Sequence, residues 1–200
     1  LEVILMKHIN GGGGNDIINA ANGNNEIYGD FEFGHDEIEG HQEFGDDVIT
    51  AGLGNDVIYG GSGDDNINGG NGDNQLYGDA GDDIIISGGG KDIIQGGEGD
   101  DQITAGGGND VIYGGTGKDI VIFSGIVSSY DISSTIENLY QIIYVSGTDG
   151  TDKLRGVEIL RFDDEDLDLT SGGKNIRDSG QAKLLNINGK NKVGSIISAG

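Results

Sequence analysis

Across 200 residues the chain carries 35 acids against 11 Lys and Arg, a formal charge of −24, with 41 glycines, 34% hydrophobic residues and neither proline nor cysteine. Such a charge repels nucleic acid and anionic membranes, and the lack of cysteine excludes disulfides. Low hydrophobicity at high net charge describes a chain with too little apolar surface to fold unaided, so it is either disordered or held together by cations.

Residues 1–10 form a lead-in. Leu1–Met6 is apolar but lacks the basic start and small-residue cleavage site of a signal peptide. No apolar run approaches the roughly 20 residues of a membrane span.

A nine-residue period on the pattern G-G-x-G-x-D-x-U-x, U being a large aliphatic, runs from Gly11 to Ile122. GGGGNDIIN from Gly11, AGLGNDVIY from Ala51 and GGEGDDQIT from Gly96 are clear instances. Twelve units can be counted if those from Gly29 and Gly40 are allowed eleven residues each. U is then Ile18, Ile27, Ile38, Ile49, Ile58, Ile67, Leu76, Ile85, Ile94, Ile103, Ile112 and Val121. The Gly/Asn/Asp-rich hexad favours a turn, and the triad around U favours a short strand whose neighbours face the other way. Two units make one coil. The expected class is therefore all-β, a right-handed parallel β-roll with U packed between two sheets, and Tyr59 and Tyr77 stacked on an outer face.

The sixth positions should form two rows, one through Asp47, Asp65, Asp83, Asp101 and Asp119, the other through Asp16, Asp36, Asp56, Asn74, Asp92 and Asp110. Adjacent coils lie about 4.8 Å apart. Unit charges at about 5 Å repel by roughly 3 kcal/mol at an effective dielectric of 20. A divalent ion between rungs reverses that sign. Carboxylate and loop-carbonyl oxygens suit Ca²⁺, whereas softer metals want Cys or His.

The repeat resembles that of the RTX (repeats-in-toxin) haemolysin-type calcium-binding proteins, and the resemblance implies a ligand set. Each ion would take the second and fourth carbonyls and the aspartate of one loop, with the first and third carbonyls and the aspartate of the loop one coil on. Carried over, Gly61, Gly63 and Asp65 pair with Gly78, Ala80 and Asp83; Asp79, Gly81 and Asp83 pair with Gly96, Glu98 and Asp101. Gly97, Gly99 and Asp101 pair with Gly114, Thr116 and Asp119; on the opposite edge Gly88, Gly90 and Asp92 pair with Ala105, Gly107 and Asp110. Asp47 and Asp56 are further candidate ligands. Asn25 and Asn74 replace the aspartate and should weaken their sites.

Residues 123–169 lose the period and are expected to form a C-terminal β cap, with strands around Tyr130–Ser133 and Gln141–Val145. The core should be Leu154, Val157, Ile159, Leu160 and Phe162. The run from Asp149 to Asp164 is similar to the segment closing serralysin-type arrays. Asp163–Asp168 reads as a solvated acidic face. The tail, 170–200, holds five bases against one acid and sits where the resemblance places a type I secretion signal.

No catalyst is expected. His35 and His41 in HDEIEGH lack the spacing of a zinc helix, His8 stands apart, and no G-x-S-x-G elbow occurs. The leading expectation is a monomeric, secreted calcium-binding module that stays unfolded until export by type I secretion machinery and then folds on several Ca²⁺ ions, as the C-terminal part of a larger exoprotein. An adhesive or polysaccharide-binding module using the E-F-G loops Phe31–Gly34 and Gln42–Gly45 stands as the alternative. A third reading makes the chain the tail of an exported protease, lipase or haemolysin.

Overall fold

The computed structural model describes residues 7–30, 45–137, 140–147 and 150–170. Glycine-rich hexads alternate with short strands: β1 (Lys7–Asn10), β2 (Ile17–Asn19), β3 (Asn25–Tyr28), β4 (Val48–Thr50), β5 (Val57–Ser62) and β6 (Asn66–Asn68). The alternation continues through β7 (Gln75–Ala80), β8 (Ile84–Ile86), β9 (Ile93–Glu98), β10 (Gln102–Thr104), β11 (Val111–Thr116) and β12 (Ile120–Ile122). Odd-numbered strands stack in one parallel sheet and even-numbered strands in the other. Two repeats thus make one coil of a β-solenoid, with the core between the sheets.

The aliphatic at each eighth position fills that core. Ile38 lies outside the described residues; the other eleven predicted aliphatics are all buried, and those in adjacent coils pair, Ile49 with Ile67, Ile67 with Ile85, Ile85 with Ile103 and Ile103 with Val121. Truncating any of these side chains should cost about 2–5 kcal/mol. Tyr59 and Tyr77 stack as expected, 4.8 Å between ring centroids, and Tyr28 extends the ladder at 4.9 Å from Tyr59.

The register corrects the expected rows at the two long units. Ile18 pairs with Ile49 and Ile27 with Ile58, so Asp16 stacks on Asp47, 31 residues away, where neighbours elsewhere are 18 apart. Gly29–Thr50 therefore takes the place of one repeat, not two, and the ladder holds one repeat fewer than the twelve counted. It takes in Gly29 and Asp30 and resumes at Gly45, whose N–H donates to the Ser62 carbonyl at 3.0 Å, while the Asp30 carboxylate accepts the Ser62 N–H at 2.9 Å. Residues 31–44 lie outside the described residues. With them go His35, Asp36, His41 and the E-F-G loops up to Gly45.

The cap continues the roll before it departs from it. β15 (Gly150–Arg155) and β16 (Ile159–Arg161) still stack in parallel on β11 and β12, pairing Ile112 with Leu154 and Val121 with Leu160. Beyond them β13 (Asp131–Glu137), β14 (Tyr140–Gly147) and β17 (Asp166–Asp168) add antiparallel and end the parallel edges. An exposed parallel edge would otherwise template pairing with other chains. Leu154, Val157, Leu160 and Phe162 are buried as expected, with Phe162 packed against Phe123 and Tyr130. Ile159 is only half-buried, because along β16 the inward position belongs to Leu160. Among the described residues no helix is long and apolar enough to cross a membrane.

Candidate metal centre

The hexads line the two edges of the roll, and a chain of carboxylates runs down each. Along the first, the backbone N–H of Asp16 donates to Asp47 Oδ1 and that of Asp47 to Asp65 Oδ1, both at 2.7 Å. Asp65 to Asp83, Asp83 to Asp101 and Asp101 to Asp119 follow at 2.8, 2.9 and 3.1 Å. Along the second, the same bond links Asn25 to Asp56, Asp56 to Asn74, Asn74 to Asp92 and Asp92 to Asp110 at 2.6–2.9 Å. Each carboxylate after Asp16 thus spends one oxygen on the preceding coil. The other oxygen, Oδ2 of Asp16, Asp47, Asp56, Asp65, Asp83, Asp92, Asp101, Asp110 and Asp119, is buried with no hydrogen-bond partner. An unpartnered buried polar atom costs about 1–3 kcal/mol, more for a charged group, and a whole column of them demands a ligand.

The surroundings of these oxygens suit a hard cation. A methyl group added at Gly60 would overlap both Asp65 Oδ2 and the Gly78 carbonyl oxygen. The same holds at Gly78 for Asp83 and Gly96, at Gly96 for Asp101 and Gly114, and at Gly29 for Asp47 and Gly60. Each free oxygen of the first edge therefore shares one small space with the first carbonyl of the next loop, which only glycine leaves open. The fourth-position carbonyls of Gly63, Gly81 and Gly99 and the second-position carbonyls of Asp79 and Gly97 point at the next coil, where a methyl on Gly81, Gly99, Gly117, Gly97 or Gly115 would strike them. Gly61 pairs with Asp79 between β5 and β7. The third-position carbonyls of Ala80, Glu98 and Thr116 each accept one N–H from the preceding coil, at 2.8–2.9 Å, leaving a lone pair. Asp79 holds φ +75, a left-handed conformation rare for a residue with a side chain.

The second edge differs. Its loops begin with Ala20, Ala51, Gly69, Ser87 and Ala105, against glycine throughout the first. The Asn25 amide donates to the Ala21 and Gly23 carbonyls at 3.2 and 2.8 Å, the second and fourth positions of its own loop. The Ser87 hydroxyl donates to the Ala105 carbonyl at 2.5 Å. A methyl at Gly106 would overlap the Gly88 carbonyl and one at Gly108 that of Gly90, while the Gly107 carbonyl accepts the Gly90 N–H at 2.9 Å. Here the protein meets part of its own polar demand.

Burial pushes the Asp83 carboxyl up to about 8 and Asp65 up to about 7, with neighbouring aspartates adding repulsion. Burial likewise lifts Asp92, Asp101, Asp110 and Asp119 to about 6, and raises Asp47 and Asp56. Such groups take up positive charge, as protons or as a metal. Among the described residues no three carboxylate, imidazole or thiol groups cluster. A site here is thus two carboxylates completed by carbonyls, an all-oxygen donor set fitting calcium and unsuited to zinc.

Sequence reasoning missed two carboxylates. Asp110 N–H donates to Asp152 Oδ1 at 3.0 Å and Asp119 N–H to Glu158 Oε2 at 2.9 Å, one further rung on each edge. The signal was present: Gly147–Arg155 reads G-T-D-G-T-D-K-L-R, the nonapeptide pattern resuming inside the cap.

A family model described as the RTX calcium-binding nonapeptide repeat (4 copies) matches residues 8–33, 43–76, 59–94 and 86–121. No curated protein matches. Among solved structures, the extracellular lipase LipA from Serratia marcescens is similar at 18% identity and a TM-score of 0.28, over 72% of this chain and 36% of that one. The chain thus spans about a third of that lipase's length.

Proposed function

The chain belongs to the RTX calcium-binding nonapeptide repeat family, and from that premise we propose that its roll is a module folded by calcium. The observation that carries this reading is the column of buried, unpartnered Asp Oδ2 atoms, which on the first edge lie beside the first carbonyl of the next loop. Bound calcium supplies the positive charge that turns repulsion between rungs into attraction. The ligands are those expected from the repeat, from Asp47 and Asp56 through Asp119, with several ions along the first edge.

Aspartates at this spacing keep the metal-free chain extended, and the carbonyl-lined gaps close only when both loops of a rung contribute. Binding free energy then becomes folding free energy. Extracellular modules bind calcium at about 10⁻⁴–10⁻³ M, well above cytosolic levels. The module therefore stays unfolded inside the cell, leaves through type I secretion machinery and folds outside, as part of a larger exoprotein whose chemistry lies elsewhere; it is not itself an enzyme. Residues 171–200, assigned to the secretion signal, lie outside the described residues. Circular dichroism tests the core of the proposal: a coil spectrum in EDTA and a β spectrum at millimolar calcium are expected, and a β spectrum indifferent to chelator would refute it.

A further inference from the structure

We propose that Asp152 and Glu158, in the cap, are calcium ligands, so that one shared ion on each edge joins the cap to the last coil of the roll. The proposal rests on the calcium reading above and extends it to residues outside the repeat array.

On the second edge the cap reproduces a repeat bond by bond. Lys153 N–H donates to the Asp110 carbonyl at 2.8 Å, as Val111 N–H does to that of Asp92 at 2.9 Å. Thr151 N–H donates to Asn109 Oδ1 at 2.8 Å, as Asp73 N–H does to Asn55 Oδ1 at 2.9 Å. Gly150 bridges Gly108, and a methyl on it would overlap the Gly108 carbonyl, as one on Gly72, Gly90 or Gly108 would overlap the fourth-position carbonyl before it. Asp152, only 5% exposed, then stands where the next aspartate belongs, over the buried unpartnered Oδ2 of Asp110.

On the first edge the imitation is shorter but ends on the same atoms. A methyl at Gly114 would overlap Asp119 Oδ2 and the Gly156 carbonyl, so Gly156 supplies the carbonyl that Gly78 or Gly96 supplies inside the array. Glu158 accepts the Asp119 N–H, and the Asp119 carbonyl accepts from Glu158 and Ile159 N–H at 3.1 and 3.0 Å. Only Val157 separates Gly156 from Glu158, where four residues separate the first glycine from the aspartate in a full hexad. The longer glutamate side chain spans what the missing loop would have covered. Asp119 is fully buried and its Oδ2 has no partner.

Two explanations compete: a ligand, or a plain hydrogen-bond acceptor ending each ladder. Asp152→Asn and Glu158→Gln separate them, because each amide keeps the acceptor oxygen and loses the charge. Native mass spectrometry of the full chain at saturating calcium counts the ions. Each variant should carry one ion fewer than wild type and the double variant two fewer; an unchanged count overturns the proposal. Should an amide variant fail to fold in calcium, Asp152→Glu and Glu158→Asp keep the charge but displace the oxygens. A raised calcium midpoint then supports ligation, and a wild-type titration curve overturns it. If the wild-type chain binds no calcium at all, the underlying function fails, and that outcome is distinct.

Discussion

The two edges of the roll are built from one nonapeptide on one backbone, yet they solve the same electrostatic problem differently. The first edge stacks Asp16, Asp47, Asp65, Asp83, Asp101 and Asp119 behind loops that all begin with glycine. The second interrupts its aspartates with Asn25 and Asn74 and begins most loops with Ala or Ser. An asparagine carries its own donors, so the Asn25 amide meets two carbonyls that elsewhere point into a gap. One edge leaves its buried oxygens unpartnered and the other partly satisfies its own polar groups, so one β-roll can divide its labour between its edges.

The comparison can be broken at several points. The largest effect is expected from chelation, which should abolish the β spectrum; persistence of second-edge amides alone in hydrogen exchange under EDTA would sharpen the contrast. Asp83→Ala removes a carboxylate shared by two rungs and should weaken folding by about 1.5–3 kcal/mol, shifting the calcium midpoint tenfold or more. Asp92→Ala, beside the asparagine rung, should shift it less, and equal shifts would erase the distinction. Gly78→Ala drives a methyl into Asp83 Oδ2 and the Gly96 carbonyl; such overpacking should cost about 1–3 kcal/mol in calcium-loaded melts. The reverse change on the other edge, Ala105→Gly, should cost about 0.5–1 kcal/mol, the entropic penalty of glycine.

Acidity gives a smaller, signed effect. The folded-state carboxyls of Asp83, Asp65 and Asp101 sit at about 8, 7 and 6, above their ordinary value of 3.8. The folded, metal-free chain therefore binds protons more tightly than the unfolded chain. In EDTA its stability should rise as pH falls from 8 through 6, the gain being complete only below about 3.8. With calcium present the sign reverses, since protons compete for the same oxygens, and the calcium midpoint should rise over that window. Circular dichroism in EDTA as pH is lowered from 8, where a returning β signal is expected, and calcium titrations at pH 8, 7 and 6 test the two signs. Smallest of all, Asn74→Asp should make the second edge more like the first, lowering the calcium midpoint in a circular-dichroism titration.

The period, the eighth-position core and the aspartate columns were legible because each reads out locally: a turn hexad, a strand triad, one inward side chain. What was not legible depends on pairing at a distance. Nothing in the eleven-residue count from Gly29 or Gly40 says that Ile27 will pair with Ile58. The cap rungs escaped for a related reason. Asp152 belongs to a repeat separated from the array by the β13 and β14 strands, and Glu158 to one shortened almost beyond recognition. Ile159 was placed in the core from hydrophobicity alone, although strand alternation gives that place to Leu160.

The join between Asp30 and Gly45 carries a practical consequence. Both flanks are held by their own bonds to Ser62, and the strands on either side keep their partners as though the intervening sequence were absent. A solenoid with such a junction can accept foreign sequence there without re-registering its neighbours, which makes the third position of a repeat a natural grafting point for a displayed peptide.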